Sequence, residues 1–183
     1  TNPQQNGLKM GVVQDITTEK HAMMRESFSF ASSQFLVGAH SIGMAVTKVI
    51  QLVCETLGWE WGAYWSIEQC NEPKLICKHY WSHPEVDVEA FTAHSLRLSM
   101  GAGEGLVGSV WHSALPSWIE DMANDRQFLR RHSAKQCGLK SGYAFPISYM
   151  TVDGRRHSVG VMEFFSQWSR QREAQLPNLA STI

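Results

Sequence analysis

Residues 100–122 read MGAGEGLVGSVWHSALPSWIEDM, and this stretch decides the fold. Its four glycines, between positions 101 and 108, allow backbone conformations that other residues rarely adopt. An apolar run with helical spacing follows, and Pro116 ends it because proline lacks an N–H group and restricts the residue before it. We expect Ser117 to Asp121 to form a brief strand. Glycine loop, short helix, proline turn and strand together predict one wall of a small cavity.

The glycines also fit a nucleotide-binding motif, G-x-G-x-x-G, at Gly103, Gly105 and Gly108. This motif is meaningful only between a strand and a long helix of a βαβ unit. Here the helix that follows is short, and no repeat of parallel strands surrounds it. The sequence therefore does not predict a Rossmann site.

Downstream of the stretch, residues 123–125 (AND) predict the start of a helix from Arg126 to Gln136, which Gly138 ends in a left-handed conformation. Phe128 and Leu129 are expected to face the interior, with His132 one turn later. Residues 141–148 and 157–166 read as two strands around a tight Asp-Gly turn. In the second of them, Glu163 is interpreted as a hydrogen-bonded carboxylate rather than an acid catalyst.

Upstream of the stretch, residues 41–57 have the broad apolar face of a packed helix. Residues 59–67 alternate, with Trp59, Trp61, Ala63, Trp65 and Ile67 on one face, which predicts a half-buried strand. Residues 74–81 are its expected antiparallel partner, and residues 88–97 a loose helical turn. The order of elements predicts an α+β fold: an antiparallel sheet, terminal helices on one face, and short helices and loops forming a pocket on the other.

The N-terminal helix, residues 17–38, carries apolar residues at coiled-coil spacing. One alternative is an amphipathic helix that packs on its own sheet. We favour pairing with a second chain, because no domain of its own lies near this helix. The sequence therefore predicts a homodimer through the N- and C-terminal helices, with Met24, Phe28, Ala31, Phe35, Leu179 and Ile183 at the interface.

Five segments, in this order and spacing, resemble the GAF domain, a small ligand-binding sensor module of bacterial signalling proteins. They are LGWEWGAYW (57–65), GLVGSVW (105–111), PSWIED (116–121), GYAFPI (142–147) and VGVMEFFS (159–166). The resemblance assigns residues 39–183 to a GAF domain. Pro177 departs from the family pattern in the C-terminal helix.

A second resemblance lies at Asp15-Ile16-Thr17, which is similar to the exit from the last strand of a PAS domain. It implies that residues 1–16 are the remnant of an upstream PAS domain and residues 17–38 a linker helix. PAS-GAF tandems precede histidine kinases and GGDEF diguanylate cyclases, so the resemblance implies a longer signalling protein with such an output domain.

The candidate ligand site follows from the expected convergence of the glycine stretch, the helix ending near residue 136 and the strand at residue 141. One cavity is predicted to be lined by Trp111, Trp118, Phe128, His132, Tyr143 and Phe145, although either alternation face of the strand that carries Tyr143 and Phe145 can line it. Within the family, a covalent bilin is not expected because no cysteine precedes a histidine, and the cyclic-nucleotide signature of phosphodiesterases is missing. Haem stays open with His132 or His94 as axial ligand. Otherwise the ligand is an unknown small molecule.

Composition excludes several classes of function. Formal net charge is −1 without a basic block, so we expect neither nucleic-acid nor membrane binding. The four cysteines form no CxxC pair, which indicates free thiols and a cytoplasmic location. Cys77 and His79 are expected on one strand face, yet no metal-binding pattern includes them, and no metal site is predicted.

Three functions from different classes remain. The favoured one is a non-catalytic sensor that binds a small ligand and relays a signal through its terminal helices. The second is a small enzyme like the free methionine sulfoxide reductases of the GAF family, with Cys137 near the rim of the pocket but no evident resolving cysteine. The third is a dimerisation platform whose pocket is filled by its own side chains.

Overall fold

The structure, a computed structural model, describes residues 39–170. In chain order its elements are α1 (Ala39–Leu57), β1 (Trp61–Glu68), β2 (Lys74–Ser82), α2 (Glu89–Arg97), β3 (Ser99–Met100), α3 (Gly105–Ser113), β4 (Ser117–Ile119), α4 (Arg131–Gln136), β5 (Ser141–Met150) and β6 (Arg156–Ser166).

The strands form one six-stranded antiparallel sheet in the order β3-β2-β1-β6-β5-β4. The predicted α+β fold with an antiparallel sheet is confirmed. The first and last long strands, β1 and β6, are neighbours at the centre, so the two ends of the domain meet in the middle of the sheet. Within residues 39–170 no helix is both long and apolar enough to cross a membrane.

Each face of the sheet carries its own hydrophobic core. On the first, the α1 face, Val46, Val49, Ile50 and Val53 of α1 pack against the sheet at the i, i+3, i+4, i+7 spacing of a helix face. The second, the short-helix face, is covered by α2, α3, α4 and the loops between them. Because both faces are covered, the central strands have no solvent-facing side.

Strand β1 shows the consequence, because Trp61 to Trp65 are all buried. The prediction of a half-buried strand is therefore wrong, and so is the placement of Trp59 on the face of Trp61. Trp59 lies before the strand begins and does not follow its alternation. Its ring packs on the α1 face, with ring centroids 5.8 Å from Trp118 and 6.2 Å from Phe164.

A β-bulge in β2 separates two residues that were expected on one strand face. His79 pairs with Tyr64, whereas Cys77 pairs with the next residue of β1, Trp65. Lys78 is the extra residue, and it reverses the alternation at this point. His79 therefore stacks on Tyr64 at 6.5 Å on the α1 face, while Cys77 packs on the short-helix face. The shared-face prediction for Cys77 and His79 is wrong.

The helix predicted from Arg126 to Gln136 is shorter than expected, because α4 begins only at Arg131. The side chains of Asp121 and Asp125 accept hydrogen bonds from backbone N–H groups two residues later, at 3.1 and 2.8 Å. Such local bonds compete with helix formation, and residues 122–130 form turns instead. Phe128 faces the interior as predicted, but Leu129 is 53% exposed.

The other predicted elements are found close to their expected bounds. Helix α1, the β1–β2 hairpin, α3 and the β5–β6 hairpin are present, and Gly138 ends α4 with φ 68°. The PAS remnant, the linker helix and the C-terminal helix lie outside the described residues. So do all the predicted interface residues: Met24, Phe28, Ala31, Phe35, Leu179 and Ile183.

Candidate functional site

The residues predicted to line one cavity are divided between the two faces of the sheet and the protein surface. Phe128 is buried on the short-helix face and Trp111 packs against that core. Trp118, Tyr143 and Phe145 belong to the core of the α1 face, on the other side of the sheet. His132 is exposed on α4. The prediction of one shared cavity for Trp111, Trp118, Phe128, His132, Tyr143 and Phe145 is therefore wrong.

The alternation of β5 explains the separation. Tyr143 pairs with Phe164, and Phe145 pairs with Met162, all four in the core beneath α1. Ala144, between them, points to the short-helix face. The segment GYAFPI is apolar at both phases of the alternation, so its sequence does not indicate which face receives the aromatic rings.

The glycine loop that opens the 100–122 stretch is closed by its own hydrogen bonds. The N–H of Gly101 donates to the carboxylate of Glu104 at 2.7 Å, and the N–H of Gly103 donates to the carbonyl of Gly108 at 2.8 Å. These amides are engaged inside the loop and do not form a phosphate cradle. The loop instead positions α3, whose Leu106, Val107 and Val110 are buried on the short-helix face.

Under this cover lies a buried ion pair, Arg130 with Glu163, whose side chains are 1% and 0% exposed. The contact is bidentate: Nη1 donates to Oε1 at 2.8 Å and Nη2 donates to Oε2 at 2.6 Å. The indole N–H of Trp65 donates to Oε1 of Glu163 at 2.7 Å. Arg130 Nη1 also donates to the hydroxyl of Ser95 at 2.8 Å. Arg130 Nε, in contrast, is buried without a hydrogen-bond partner among the described residues.

Aromatic rings surround the guanidinium of Arg130. Five ring centroids lie 4.8–6.0 Å from its Cζ atom, and we call these five residues the aromatic cage: Trp61, Trp65, Phe91, Phe128 and Phe165. A cation within about 6 Å of a ring centroid is attracted by the negative face of the ring. A carboxylate and several aromatic rings around one cation form a recognisable cation-binding arrangement.

Two small residues make room for the guanidinium. Glu163 on β6 pairs with Ala63 on β1 and with Ala144 on β5, so alanine stands on either side of the carboxylate across the sheet. Larger side chains at these positions would occupy the space above Glu163. The alternation of β1 places Ala63 between the large rings of Trp61 and Trp65 on the same face.

Sequence reasoning found one half of this site. A glutamate within an apolar strand must have hydrogen-bond partners when it is buried, and the interpretation of Glu163 as a hydrogen-bonded carboxylate agrees with the structure. The partner was missed. Arg130 and Arg131 are adjacent in a polar segment, and only the fold shows that Arg130 is buried while Arg131 is exposed.

An open groove of about 400 Å³ lies beside the cage, at the end of β2 and along α2. Its lining includes Thr92, whose hydroxyl accepts a hydrogen bond from the indole N–H of Trp61 at 2.9 Å. One residue layer thus separates the groove from the cage. The lining, drawn from the described residues, includes the carboxylates of Asp87 and Glu89 but no lysine or arginine.

The chain leaves the sheet after β6 at a contact with α1. Arg170 donates to the carbonyl of Leu57 at 2.9 Å and also to the carbonyl of Gly58, and its guanidinium lies 4.4 Å from the ring of Trp59. These are carbonyls at the C-terminus of α1, which lack partners within the helix. The carbonyl of Arg170 accepts from the indole N–H of Trp118 at 3.1 Å. The contact joins the end of α1 to the segment that follows β6.

Two of the four cysteines, Cys54 and Cys77, are poorly suited to nucleophilic chemistry. Burial, together with the charge of Glu163, raises the pKa of the Cys77 thiol to about 12. Burial and two nearby carboxylates also raise the pKa of Cys54, which lies on the α1 face. Only the thiolate is a good nucleophile, so neither residue is activated. Cys137 is buried in the short-helix core, and Cys70 is exposed.

The two histidines that the sequence offered for haem lie on α2 and α4, and an axial role for either stays a prediction. His94 lies with its Nδ1 2.9 Å from the Ser133 hydroxyl, and burial and neighbouring cationic groups, Arg130 first among them, lower its pKa. His132 is exposed. No three His, Cys, Asp or Glu side chains in residues 39–170 are arranged to hold a metal ion.

Comparison with known families matches residues 42–183 to the model for the GAF domain. No curated protein is significantly similar in sequence. The fold is similar to solved structures of low identity. One is described as a GAF sensor protein from Burkholderia vietnamiensis: its identity is 14%, the alignment covers 90% of this chain and 89% of that one, and the TM-score is 0.62.

Two further structures differ from each other in their described roles. The GAF domain of A. aeolicus nlh2, in an inactive state, has 15% identity, coverage of 91% and 90%, and a TM-score of 0.59. The free methionine-R-sulfoxide reductase from Neisseria meningitidis, in complex with its substrate, has 17% identity, coverage of 88% and 86%, and a TM-score of 0.58. At these identities the likeness establishes the fold and leaves sensor and enzyme both open.

Proposed function

The chain belongs to the GAF domain family, and from this membership we propose that it is a non-catalytic regulatory module. It binds a small ligand in its core and relays a signal through its terminal helices. The output domain is proposed to be a histidine kinase or a diguanylate cyclase or phosphodiesterase, in the longer cytoplasmic protein that the PAS-like N-terminus predicts. The ligand site is proposed on the short-helix face, at the Arg130–Glu163 pair.

The observation that supports this proposal is the chemistry of the core. Its polar groups are a guanidinium and a carboxylate that neutralise each other, held by an indole N–H and a serine hydroxyl. Such groups bind and position charges. A nucleophile would need an activating base and a reachable thiolate or alkoxide, and the thiol of Cys77, on the same face of the sheet as the pair, has a raised pKa. The arrangement therefore favours ligand binding over catalysis.

The relay is supported by the Arg170 contact. A ligand changes a helix arrangement only by its different affinity for two states of the protein. Arg170 connects the chain after β6 to the last carbonyls of α1, and Trp118 connects the same residue to β4. The relay is therefore proposed to transmit movement of the sheet relative to α1 through this contact.

Replacing Arg170 by methionine tests the relay. In the full-length signalling protein we expect Arg170→Met to change basal output at least fivefold, since coupling between sites is typically worth about 1–3 kcal/mol. Two charge-assisted hydrogen bonds are lost, so the free energy of unfolding should fall by about 3 kcal/mol, and output is compared under conditions where both proteins are folded. Arg155→Met, at an exposed arginine of the β5–β6 turn, is the control and should change neither quantity. Unchanged output in Arg170→Met would contradict the relay.

A reductase remains the alternative from another class, because a free methionine-R-sulfoxide reductase shares the fold. We expect no turnover of free methionine-R-sulfoxide with a thiol reductant. Burial raises the pKa of Cys77 to about 12, and Cys137, the thiol that this alternative names, is buried in the short-helix core. Turnover that Cys77→Ser or Cys137→Ser abolishes would establish the enzyme instead.

The pH dependence of thiol labelling tests the same point directly. At pH 8, iodoacetamide should modify exposed Cys70 and leave Cys77 unmodified, as read by mass spectrometry of peptides. Because the pKa of Cys77 is raised, its thiolate fraction and its labelling rate should rise about tenfold per pH unit between pH 8 and 10. Rapid labelling of Cys77 at pH 8 would show an activated thiol.

The third function, a ligand-free dimerisation platform, is favoured by one feature: the side chain of Arg130 fills the cage. We propose a homodimer through the terminal helices in either case, and sedimentation equilibrium of the 183-residue chain tests it. The sensor binds a small molecule in the cage and the platform does not. Binding of a cation to the cage therefore distinguishes the two functions.

A further inference from the structure

We infer that the aromatic cage is a cation-binding site whose internal ligand is Arg130, and that a small amidinium or guanidinium compound competes with Arg130 for Glu163. This inference rests on the proposed function, because it names the ligand class of the same site. It assigns Arg130 a role as a displaceable occupant rather than a fixed element of the core.

The first step is that fold stability does not explain the pair. Replacing a buried ion pair by apolar residues of similar volume is often neutral or stabilising. Glu163 and Arg130 are nonetheless both charged groups in the middle of an apolar core. The five rings of the cage and the two carboxylate oxygens together offer what a flat cation requires: faces to stack on and a bidentate acceptor.

The second step is that Arg130 does not satisfy the site completely. Its Nε–H is buried and has no acceptor among residues 39–170, whereas both of its Nη groups are bonded. An unpaired buried donor costs free energy. An amidinium has the same two NH₂ groups and carries carbon where arginine carries Nε–H. It can therefore form the same bonds to Glu163 without leaving a donor unpaired.

The third step is how the Arg130 side chain leaves the cage and how a ligand enters it. Arg130 is the last residue before α4, and its neighbours Leu129 and Arg131 are exposed, so its side chain can leave through a rearrangement of turns without breaking a strand. The groove beside α2 shares Thr92 with the wall of the cage. Its carboxylates, Asp87 and Glu89, favour the approach of a cation.

The test uses acetamidinium and methylguanidinium as probes and neutral acetamide as the isosteric control. In the wild-type 183-residue chain we expect both cations, at millimolar concentration, to shift the Arg130 Nε–H NMR signal and to accelerate its exchange with water. Acetamide should do neither. Acetamidinium should bind more tightly than methylguanidinium, because it lacks the N–H that Arg130 leaves unpaired.

Two variants separate displacement from surface binding. Because neither has an Arg130 Nε–H group, probe binding is followed in all variants and in wild type by the NMR signal of the Trp65 indole N–H, which lies beside residue 163. Arg130→Lys keeps a cation near Glu163 but loses the bidentate fork, so acetamidinium should bind it about tenfold more tightly than wild type, since a weaker internal competitor leaves the cage free more often. The double variant Arg130→Met/Glu163→Met removes both charges and should bind none of the probes. Arg131→Met, at the exposed neighbour, should bind like wild type.

The inference is overturned if no cation perturbs Arg130 in wild type at tens of millimolar, or if the double variant responds as wild type does. Either result leaves the Arg170 relay untouched, because that experiment reads output and uses no ligand. If instead the cations bind as expected while Arg170→Met leaves output unchanged, the ligand class stands and the proposed relay fails.

Discussion

Replacing Arg130 by methionine should lower the free energy of unfolding by about 3–5 kcal/mol, the usual cost of removing one partner of a buried ion pair. Methionine fills much of the volume of the arginine stem. The loss therefore comes mainly from Glu163, whose carboxylate stays buried with the Trp65 indole as its remaining hydrogen-bond donor within residues 39–170. Urea denaturation followed by tryptophan fluorescence measures the change.

The double variant Arg130→Met/Glu163→Met shows whether the loss of stability in Arg130→Met comes from the unpaired charge of Glu163 or from the packing of the arginine side chain. With both charges gone, we expect stability within about 2 kcal/mol of wild type, so the two substitutions should be strongly non-additive. Arg131→Met is the matched control: this arginine is exposed and its replacement should change stability by no more than about 0.5 kcal/mol. A double variant as unstable as Arg130→Met alone would mean that the arginine contributes through its shape.

The elements of this fold were largely predictable because their periodicities are strong. Residues 41–57 repeat at helical spacing, and the segments at 141 and 157 are separated by an Asp-Gly turn. Helix α1 and the β5–β6 hairpin follow from these local features. Local preference also accounts for the one shortened helix, once the aspartate side chains at 121 and 125 are seen to bond their own backbone.

The site was less predictable, because its geometry depends on phase and on tertiary contacts. Lys78 forms a bulge that reverses the faces of Cys77 and His79, and nothing in the segment LICKHYW indicates the extra residue. Strand β5 is apolar at both phases, so its sequence leaves open which face receives Tyr143, and the structure places that ring on the α1 face. The sequence required a partner for buried Glu163, but the choice of Arg130 over Arg131 depends on where the turn before α4 meets the sheet.

Replacing Gly108 by alanine should destabilise the protein, although the same substitution usually stabilises a helix. At an ordinary interior position of a helix, Gly→Ala stabilises by about 1 kcal/mol. Here an added Cβ would lie 2.2 Å from the carbonyl oxygen of Gly101, which is backbone and can move only if the loop moves. We expect a loss of about 1–3 kcal/mol in the free energy of unfolding, as for other overpacked sites.

The control lies in the same loop. A Cβ on Gly101 would meet the carboxyl group of Glu104 at 3.5 Å, an ordinary contact, so Gly101→Ala should cost less than about 1 kcal/mol. The loop shift forced at Gly108 should also reach the cage, because α3 covers the same face of the sheet as Trp65. Hydrogen exchange at the Trp65 indole N–H, which Glu163 accepts at 2.7 Å, should therefore quicken in Gly108→Ala and not in Gly101→Ala. A Gly108→Ala variant that is more stable than wild type would show that the glycine loop yields easily, and that the cover of the cage does not depend on the close approach of Gly108 to Gly101.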